Sequence, residues 1–165
     1  MTLRRFVPWP DTRLRTAAAS VEAITDEIRE IWDDMVETME SMPGVGLAAP
    51  QIGVMLQLAV VDCSETRGRA VRLANPEIVS TSPDLRAHDE ASPNLPGVQA
   101  RLERPAWVDV AFTDHRGART SQVFEGLWAT SVQHQIDHLA GRMYFDNLSR
   151  IKREMLLRRA RKTMV

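Results

Sequence analysis

Residues 126–141 read Gly-Leu-Trp-Ala-Thr-Ser-Val-Gln-His-Gln-Ile-Asp-His-Leu-Ala-Gly. Trp128, Val132, Ile136 and Leu139 recur at helical spacing along one stripe, and Leu127, Ser131, His134 and His138 form a second, so apolar residues face most directions. The stretch predicts a buried central helix, with Gly141 in the position of a C-cap. Two imidazoles four residues apart stand on one helix face with Cβ atoms about 6 Å apart, close enough to converge on one divalent metal. In the related His-Glu-x-x-His pattern the Glu takes the proton from metal-bound water. Gln135 stands there in this chain, and a carboxamide has no proton-accepting form near neutral pH. The ligand spacing is present without the general base.

Outward from this helix, the reading is α+β: antiparallel β-sheets packed around the buried helix that carries His-x-x-x-His. Towards the N-terminus, Thr25 is an N-cap followed by Asp26 and Glu27, and a helix runs from it to about Ser41 with Ile28, Trp32, Met35 and Met39 on one face. Pro43 and Gly44 stop it. Residues 1–15 carry two prolines and no stable periodicity, which predicts a segment wrapped over the surface. Gly44-Val-Gly-Leu-Ala-Ala-Pro-Gln-Ile-Gly53 is a loop of small residues whose only polar side chain is Gln51; it lacks the Lys-Ser/Thr ending of a phosphate loop. Leu56–Asp62, Ala70–Asn75, Glu77–Ser80 and Leu85–Asp89 read as short strands, most economically an antiparallel meander. Glu90–Gly97 is too rich in proline for a central strand. Ala106–Thr113 and Ala118–Glu125 flank a hairpin turn at Asp114–Gly117. In the final helix Ile151, Met155 and Leu156 are expected to pack.

The chain of 165 residues is expected to form one domain. Hydrophobic residues at 44% and charged residues at 26% exclude a disordered or low-complexity protein. No apolar run approaches 18 residues and no signal-like segment is present, so a membrane partner is not expected and a cytoplasmic location is. The single Cys63 cannot form an internal disulfide and suits a reducing compartment. The net charge of −1 conceals an asymmetry. Residues 149–165 carry seven basic groups against Glu154, a net of +6, which leaves −7 for the remainder. That basic C-terminal helix is a candidate RNA-docking element.

Three separated stretches together resemble the signatures of peptide deformylases, in the family's order: Gly44–Gly53, Glu90-x-x-x-x-Leu-Pro-Gly97 and His134-x-Ile-Asp-His138-Leu-x-Gly141. The likeness extends from Pro10–Arg15 to Asp146–Ser149. It implies the deformylase fold and metal-dependent hydrolytic removal of the formyl group from the initiator methionine of nascent polypeptides, with Fe(II) or Zn(II) held by one Cys and two His. By position, His134 and His138 match the imidazole ligands and Gln51 the residue that hydrogen-bonds the developing oxyanion. Gly46, Leu47 and Pro93 match substrate-binding positions, and Glu90 and Arg104 match an ion pair that braces the second signature.

Departures fall where the chemistry occurs. The family's Glu-Gly-Cys-Leu-Ser reads Glu90-Ala91-Ser92-Pro93-Asn94 here. Ser92 replaces the thiolate ligand with a neutral hydroxyl. Pro93 has no N–H where the family donates one to the oxyanion, and Gln135 replaces the catalytic Glu. A general base contributes about 10²- to 10⁴-fold and one oxyanion donor about 10²- to 10³-fold. The expectation is a deformylase-like protein, inactive or very weak, with its one divalent metal weakly bound or absent. It would act by binding formyl-Met or Met peptide N-termini, or the ribosome and its RNA through the basic helix. The alternative is an active metallohydrolase holding a weak His134/His138/Ser92 metal. His88, in a strand, and His115, in a hairpin turn, read as surface residues.

Overall fold

Helix α1 (Asp26–Ser41) begins at Thr25, whose hydroxyl accepts a hydrogen bond from the Ile28 N–H at 3.3 Å, satisfying one of the donors that the first helical turn leaves unpaired. The computed structural model describes residues 2–163. Ile28, Trp32, Met35 and Met39 on the buried face of α1 meet Leu47, Leu58 and Val60 in the largest core cluster. Ahead of α1 the chain wraps the surface as expected, but it also inserts Val7 and Leu14 among Leu102, Met143 and Tyr144. A short 3-10 turn at Thr12–Arg15 holds Leu14 there, capped by the Asp11 carboxylate on the Arg13 N–H.

Five strands form one antiparallel sheet: β1 (Gly46–Ala48), β2 (Leu58–Val61), β3 (Val71–Thr81), β6 (Trp107–Thr113) and β7 (Arg119–Glu125), in the order β1-β2-β3-β6-β7. β3 is one long strand where two were expected. Its register against β6 shifts between Ala74 and Glu77, around Asn75 at φ +49°. Asn tolerates that left-handed backbone, and the Asn75 carboxamide bonds both the N–H and the C=O of Val21 at 2.8 and 2.7 Å. The expected meander is also interrupted. β4 (Leu85–Glu90) leaves the main sheet and pairs with β5 (Ala100–Pro105), a strand absent from the sequence reading. In β5 the inward positions are Leu102 and Arg104, so a buried arginine breaks the apolar alternation by which strands are recognised.

Helix α2 (Gly126–Leu139) lies against both sheets, touching β1, β2 and β7 on one side and β4 and β5 on the other. Ala140 is its C-cap and Gly141 follows at φ +78°. Helix α3 (Arg150–Thr163) buries only Leu156 and Ala160. Ile151 and Met155 do not pack: they are 71% and 54% exposed, because they project from a side of the helix away from Leu156 and Ala160. Met164 and Val165 of the basic segment lie outside the described residues. No helix among the described residues is long and apolar enough to cross a membrane.

Two glycines separate backbone strain from steric contact. Gly68 (φ +75°) has open space where a side chain would be, whereas a Cβ at Gly141 would lie 2.8 to 2.9 Å from backbone atoms of Arg15 and Thr16. Gly68→Ala is expected to cost about 1 kcal/mol for the left-handed backbone alone. Gly141→Ala should cost at least twice that, read as the difference in urea-unfolding free energies.

Candidate active site

A cavity of about 410 Å³ opens between the Gly44–Gly46 loop, the segment after β4 and the face of α2 that carries Leu127, Ser131 and Gln135. Gly46, Gln51, Ser92, Pro93, His134 and Gln135 line it, with apolar walls from Met42, Val45 and Leu127. Two of the sequence-derived site residues do not reach it. His138 lies one helical turn behind His134, 1% exposed, and Leu47 faces away from the cavity into the core against α1. Gln135 packs directly on Gly46, where any Cβ would collide with Gln135 Nε2 and Ser131 Oγ. This close approach requires glycine. Gln135 Oε1 is buried without a hydrogen-bond partner.

The Gln51 side chain is fully committed. Its Oε1 accepts from the Ala48 N–H at 2.9 Å, and its Nε2 donates to Asn94 Oδ1 at 2.8 Å and to Ser92 Oγ at 3.2 Å. Ser92 Oγ in turn donates to Asn94 Oδ1 at 3.0 Å. The Asn94 Nδ2 donates to the carbonyls of Val7 at 2.6 Å and Gln51 at 2.9 Å. Asn94 thereby uses both donors and both acceptor sites of its carboxamide. All three side chains are at most 4% exposed, so water does not compete for these bonds. Sequence reasoning assigned Asn94 no role; its only signal was a polar residue inside a proline-rich stretch.

A second chain of contacts orients His134. Asp137 Oδ2 meets Arg104 Nη1 at 3.0 Å, Arg104 holds Glu90 through two bonds of 2.7 and 2.9 Å, and Glu90 Oε1 lies 2.9 Å from His134 Nδ1. Glu90 and Arg104 therefore meet, as expected from the sequence. Burial pushes the Glu90 carboxyl up, but bonds from His134 and Arg104 outweigh it and hold the group below the usual carboxylate range. An ionised carboxylate only accepts, so His134 Nδ1 donates to Glu90 and Nε2 is the ring nitrogen left without a partner in this bond. His138, 5.0 Å away between ring centroids, has no partner for either nitrogen. Burial first, then the charges of His134 and Arg104, push its pKa well below the ordinary imidazole value. Tyr144 stacks on the far face of His134 at 5.8 Å.

The other candidates lie around this centre. His88 is half-buried rather than on the surface, with Nδ1 2.8 Å from Thr130 Oγ1 on α2. His115 occupies the β6–β7 turn and is exposed. Burial and the Asp62 charge raise the Cys63 thiol to about 12, which leaves it protonated and unreactive at neutral pH.

The family model for polypeptide deformylase matches residues 3–154. The chain belongs to the peptide deformylase family. It is 40% identical over 169 residues to the peptide deformylase of Rhizorhabdus wittichii, covering 98% of this chain and 96% of that protein. It is likewise 40% identical over 161 residues to that of Afipia carboxidovorans, with 96% and 94% covered. The solved structure of a peptide deformylase from Legionella pneumophila superposes with a TM-score of 0.92 at 37% identity, covering 99% of this chain and 96% of that one. The antiparallel sheets and three helices are therefore a deformylase fold.

The metal that the deformylase family implies can be tested against these donors. The unpartnered nitrogens of His138 and the free Nε2 of His134 suit a cation. The third position does not, because Ser92 Oγ is a neutral hydroxyl engaged by Gln51 and Asn94. Among the described residues no three His, Cys, Asp or Glu side chains gather in a metal-holding group. The residues do not fit the family's three-ligand cage.

Two measurements test the buried charges. Arg104→Met leaves Glu90 and Asp137 without their guanidinium and should cost about 3 to 5 kcal/mol, whereas Arg13→Met, at an exposed pair with Asp11, should leave the unfolding free energy nearly unchanged. Stability should also fall with acidity in two stages. The unfolded chain protonates His138 near pH 6.5 and the folded chain does so only well below it, so stability drops as pH falls below about 6.5. Glu90 adds stability that is present above the usual carboxylate pKa and lost as pH falls through its depressed folded value. His138→Leu should flatten the first stage and leave the second.

Proposed function

We propose that this deformylase-family chain, over residues 1–165, holds peptide N-termini in its cavity and does not efficiently hydrolyse them. The observation that carries the reading is the closed Gln51–Ser92–Asn94 set of hydrogen bonds. Both hydrogens of Gln51 Nε2 are spent on Ser92 and Asn94, so the side chain that matches the family's oxyanion donor has none left for a substrate oxygen. Pro93 has no N–H to replace it. Gln135 cannot take a proton at neutral pH, and Ser92 is withheld from metal binding. These losses act at one centre, where effects of residues that work as a unit do not add and a single reversal restores little.

A cavity remains beside this centre. Its volume and its mix of apolar wall and few polar groups suit a small ligand such as a methionine side chain with its backbone. The likeness to deformylases supports formyl-Met or Met peptides as that ligand, and the cytoplasm as the compartment in which nascent chains are met. The exposed basic face of α3 supports a second contact, with ribosomal RNA, whose affinity would fall steeply between low and moderate salt.

The two unpartnered nitrogens of His138 favour one other reading: a divalent ion, Fe(II) or Zn(II), weakly retained between the imidazoles, with residual hydrolase activity. Metal analysis of the purified protein, combined with a formyl-Met peptide assay, separates the two. Wild type is expected to carry far less than one metal per chain and to show no turnover. Gln135→Glu alone should recover almost nothing. The triple change Ser92→Cys, Pro93→Leu, Gln135→Glu should take up metal. Turnover should rise further when Asn94→Ser is added and frees Gln51. Stoichiometric metal and ready turnover in wild type would overturn the binding reading.

A further inference from the structure

A second cavity, of about 690 Å³, lies beside the first, between Gly97–Gln99 and the last turns of α3. Ala91 lines both, so the two hollows adjoin across a single residue with a methyl side chain. The charged groups that line the second cavity are Arg159 and Lys162, and neither has a carboxylate partner among the described residues. The other cations of α3 are arranged differently: Arg150 pairs with Glu154 and Arg153 with Asp146, and Lys152, Arg158 and Arg161 do not line this cavity.

The wall is held in place. Gly97 sits at φ +88° with the Thr163 side chain so close that a Cβ would lie 2.9 Å from Thr163 Oγ1. Thr163 donates back to the Ala160 carbonyl at 2.9 Å, and Ala160 is buried. The loop and the helix therefore approach closely at Gly97, with the cavity beside that contact. The Tyr144 hydroxyl reaches the Val98 carbonyl at 3.5 Å, which ties the same loop to the ring that stacks on His134. The Arg159 charge is near enough to lower the Tyr144 pKa against burial and Glu90, which raise it to about 12. Two unpaired cations in a fixed hollow, with no acid in its lining, form an anion-selecting surface.

We propose that Arg159 and Lys162 form an acidic-residue subsite: a peptide whose N-terminal methionine occupies the first cavity extends past Ala91 and places Asp or Glu side chains against these cations. The proposal rests on the binding reading given under Proposed function. Only Ala91 separates the two cavities, and an extended peptide advances about 3.3 Å per residue, so two or three residues beyond the methionine carry it past Ala91. The acidic positions are therefore the few that follow the methionine. Peptide is favoured over RNA here because the cations face a cavity that adjoins the first one, whereas Arg158 and Arg161 on other sides of α3 remain for an open polyanion.

The test uses the full chain and two formyl-Met peptides of equal length, each labelled at the C-terminus: formyl-Met-Ala-Asp-Glu-Ser and formyl-Met-Ala-Asn-Gln-Ser. Fluorescence anisotropy at low salt is expected to show the acidic peptide bound about 3- to 10-fold more tightly, the scale of two exposed charge contacts. The preference should fall below twofold in Arg159→Ala/Lys162→Ala and at about 0.5 M salt, while the neutral peptide binds wild type and variant alike. Arg158→Ala/Arg161→Ala, equal in charge change, should keep the preference; thermal melts confirm that both variants fold. Equal binding of the two peptides to wild type overturns the subsite and leaves the first-cavity reading standing. Failure of the neutral peptide to bind, with the acidic one still held, overturns the first-cavity reading and keeps the anion site. Loss of preference in both double variants reduces the effect to general charge. A short RNA that displaces the acidic peptide and depends on the same two cations would assign the hollow to nucleic acid.

Discussion

The carboxamide of Asn94 is the point on which the site depends. It joins three segments that are distant in sequence: Nδ2 binds the backbone of Val7 and Gln51, and Oδ1 collects the Gln51 amide and the Ser92 hydroxyl. A buried carboxamide left short of partners would cost about 1 to 3 kcal/mol, so complete satisfaction makes this arrangement self-consistent. It also engages polar groups at the cavity wall, because both hydrogens of Gln51 Nε2 and the Ser92 hydroxyl hydrogen end within this set. Burial strengthens the effect, because hydrogen bonds are stronger where little water reaches them.

The line from Asp137 through Arg104 and Glu90 to His134 has a different character. It is a set of charge-assisted bonds that bridges the small β4–β5 sheet and α2, so it fixes the tautomer of a histidine and docks one sheet on the central helix at the same time. Its centre is the buried Glu90–Arg104 pair. Loss of either partner would leave the other charge buried and short of its counter-ion, whereas Ser92, Pro93 and Gln135 carry no charge and place no such demand on the fold.

Much of this was legible in the sequence. α1 has its cap at Thr25 and its end at Ser41, and the α2 helix follows from overlapping apolar stripes, because both signals are local. Most of the residues that line the cavity also fall in stretches that stood out in the sequence, Gly44–Gly53, Glu90–Pro93 and His134–Gln135, although His138 does not reach it. The failures have physical causes. β5 hides because Arg104 occupies an inward position and finds its partner only across the sheet pair. β3 looked like two strands because Asn75 and Pro76 resemble a turn, and only the contact with Val21 shows that they form a bulge. The departure of β4 from the main sheet is a tertiary preference that no local pattern encodes. Leu47 was assigned to the site because its loop was, but alternation along β1 sends it to the core. Asn94 carried no periodicity or spacing signal, since its four partners come from three places in the chain.

The segment around Val7 and Trp9 is more than a wrapping. Besides the Asn94 bond to the Val7 carbonyl, the Val7 N–H reaches the Gln51 carbonyl and the Trp9 N–H reaches the Asn94 carbonyl, both at 2.9 Å. The leading stretch of polypeptide therefore acts as a backbone splice: it fastens the turn that carries Gln51 to the segment that carries Asn94 while lining no part of the cavity. Two regions more than forty residues apart are thereby held in one register by main-chain bonds, which no change of side chain at Val7 or Trp9 removes directly.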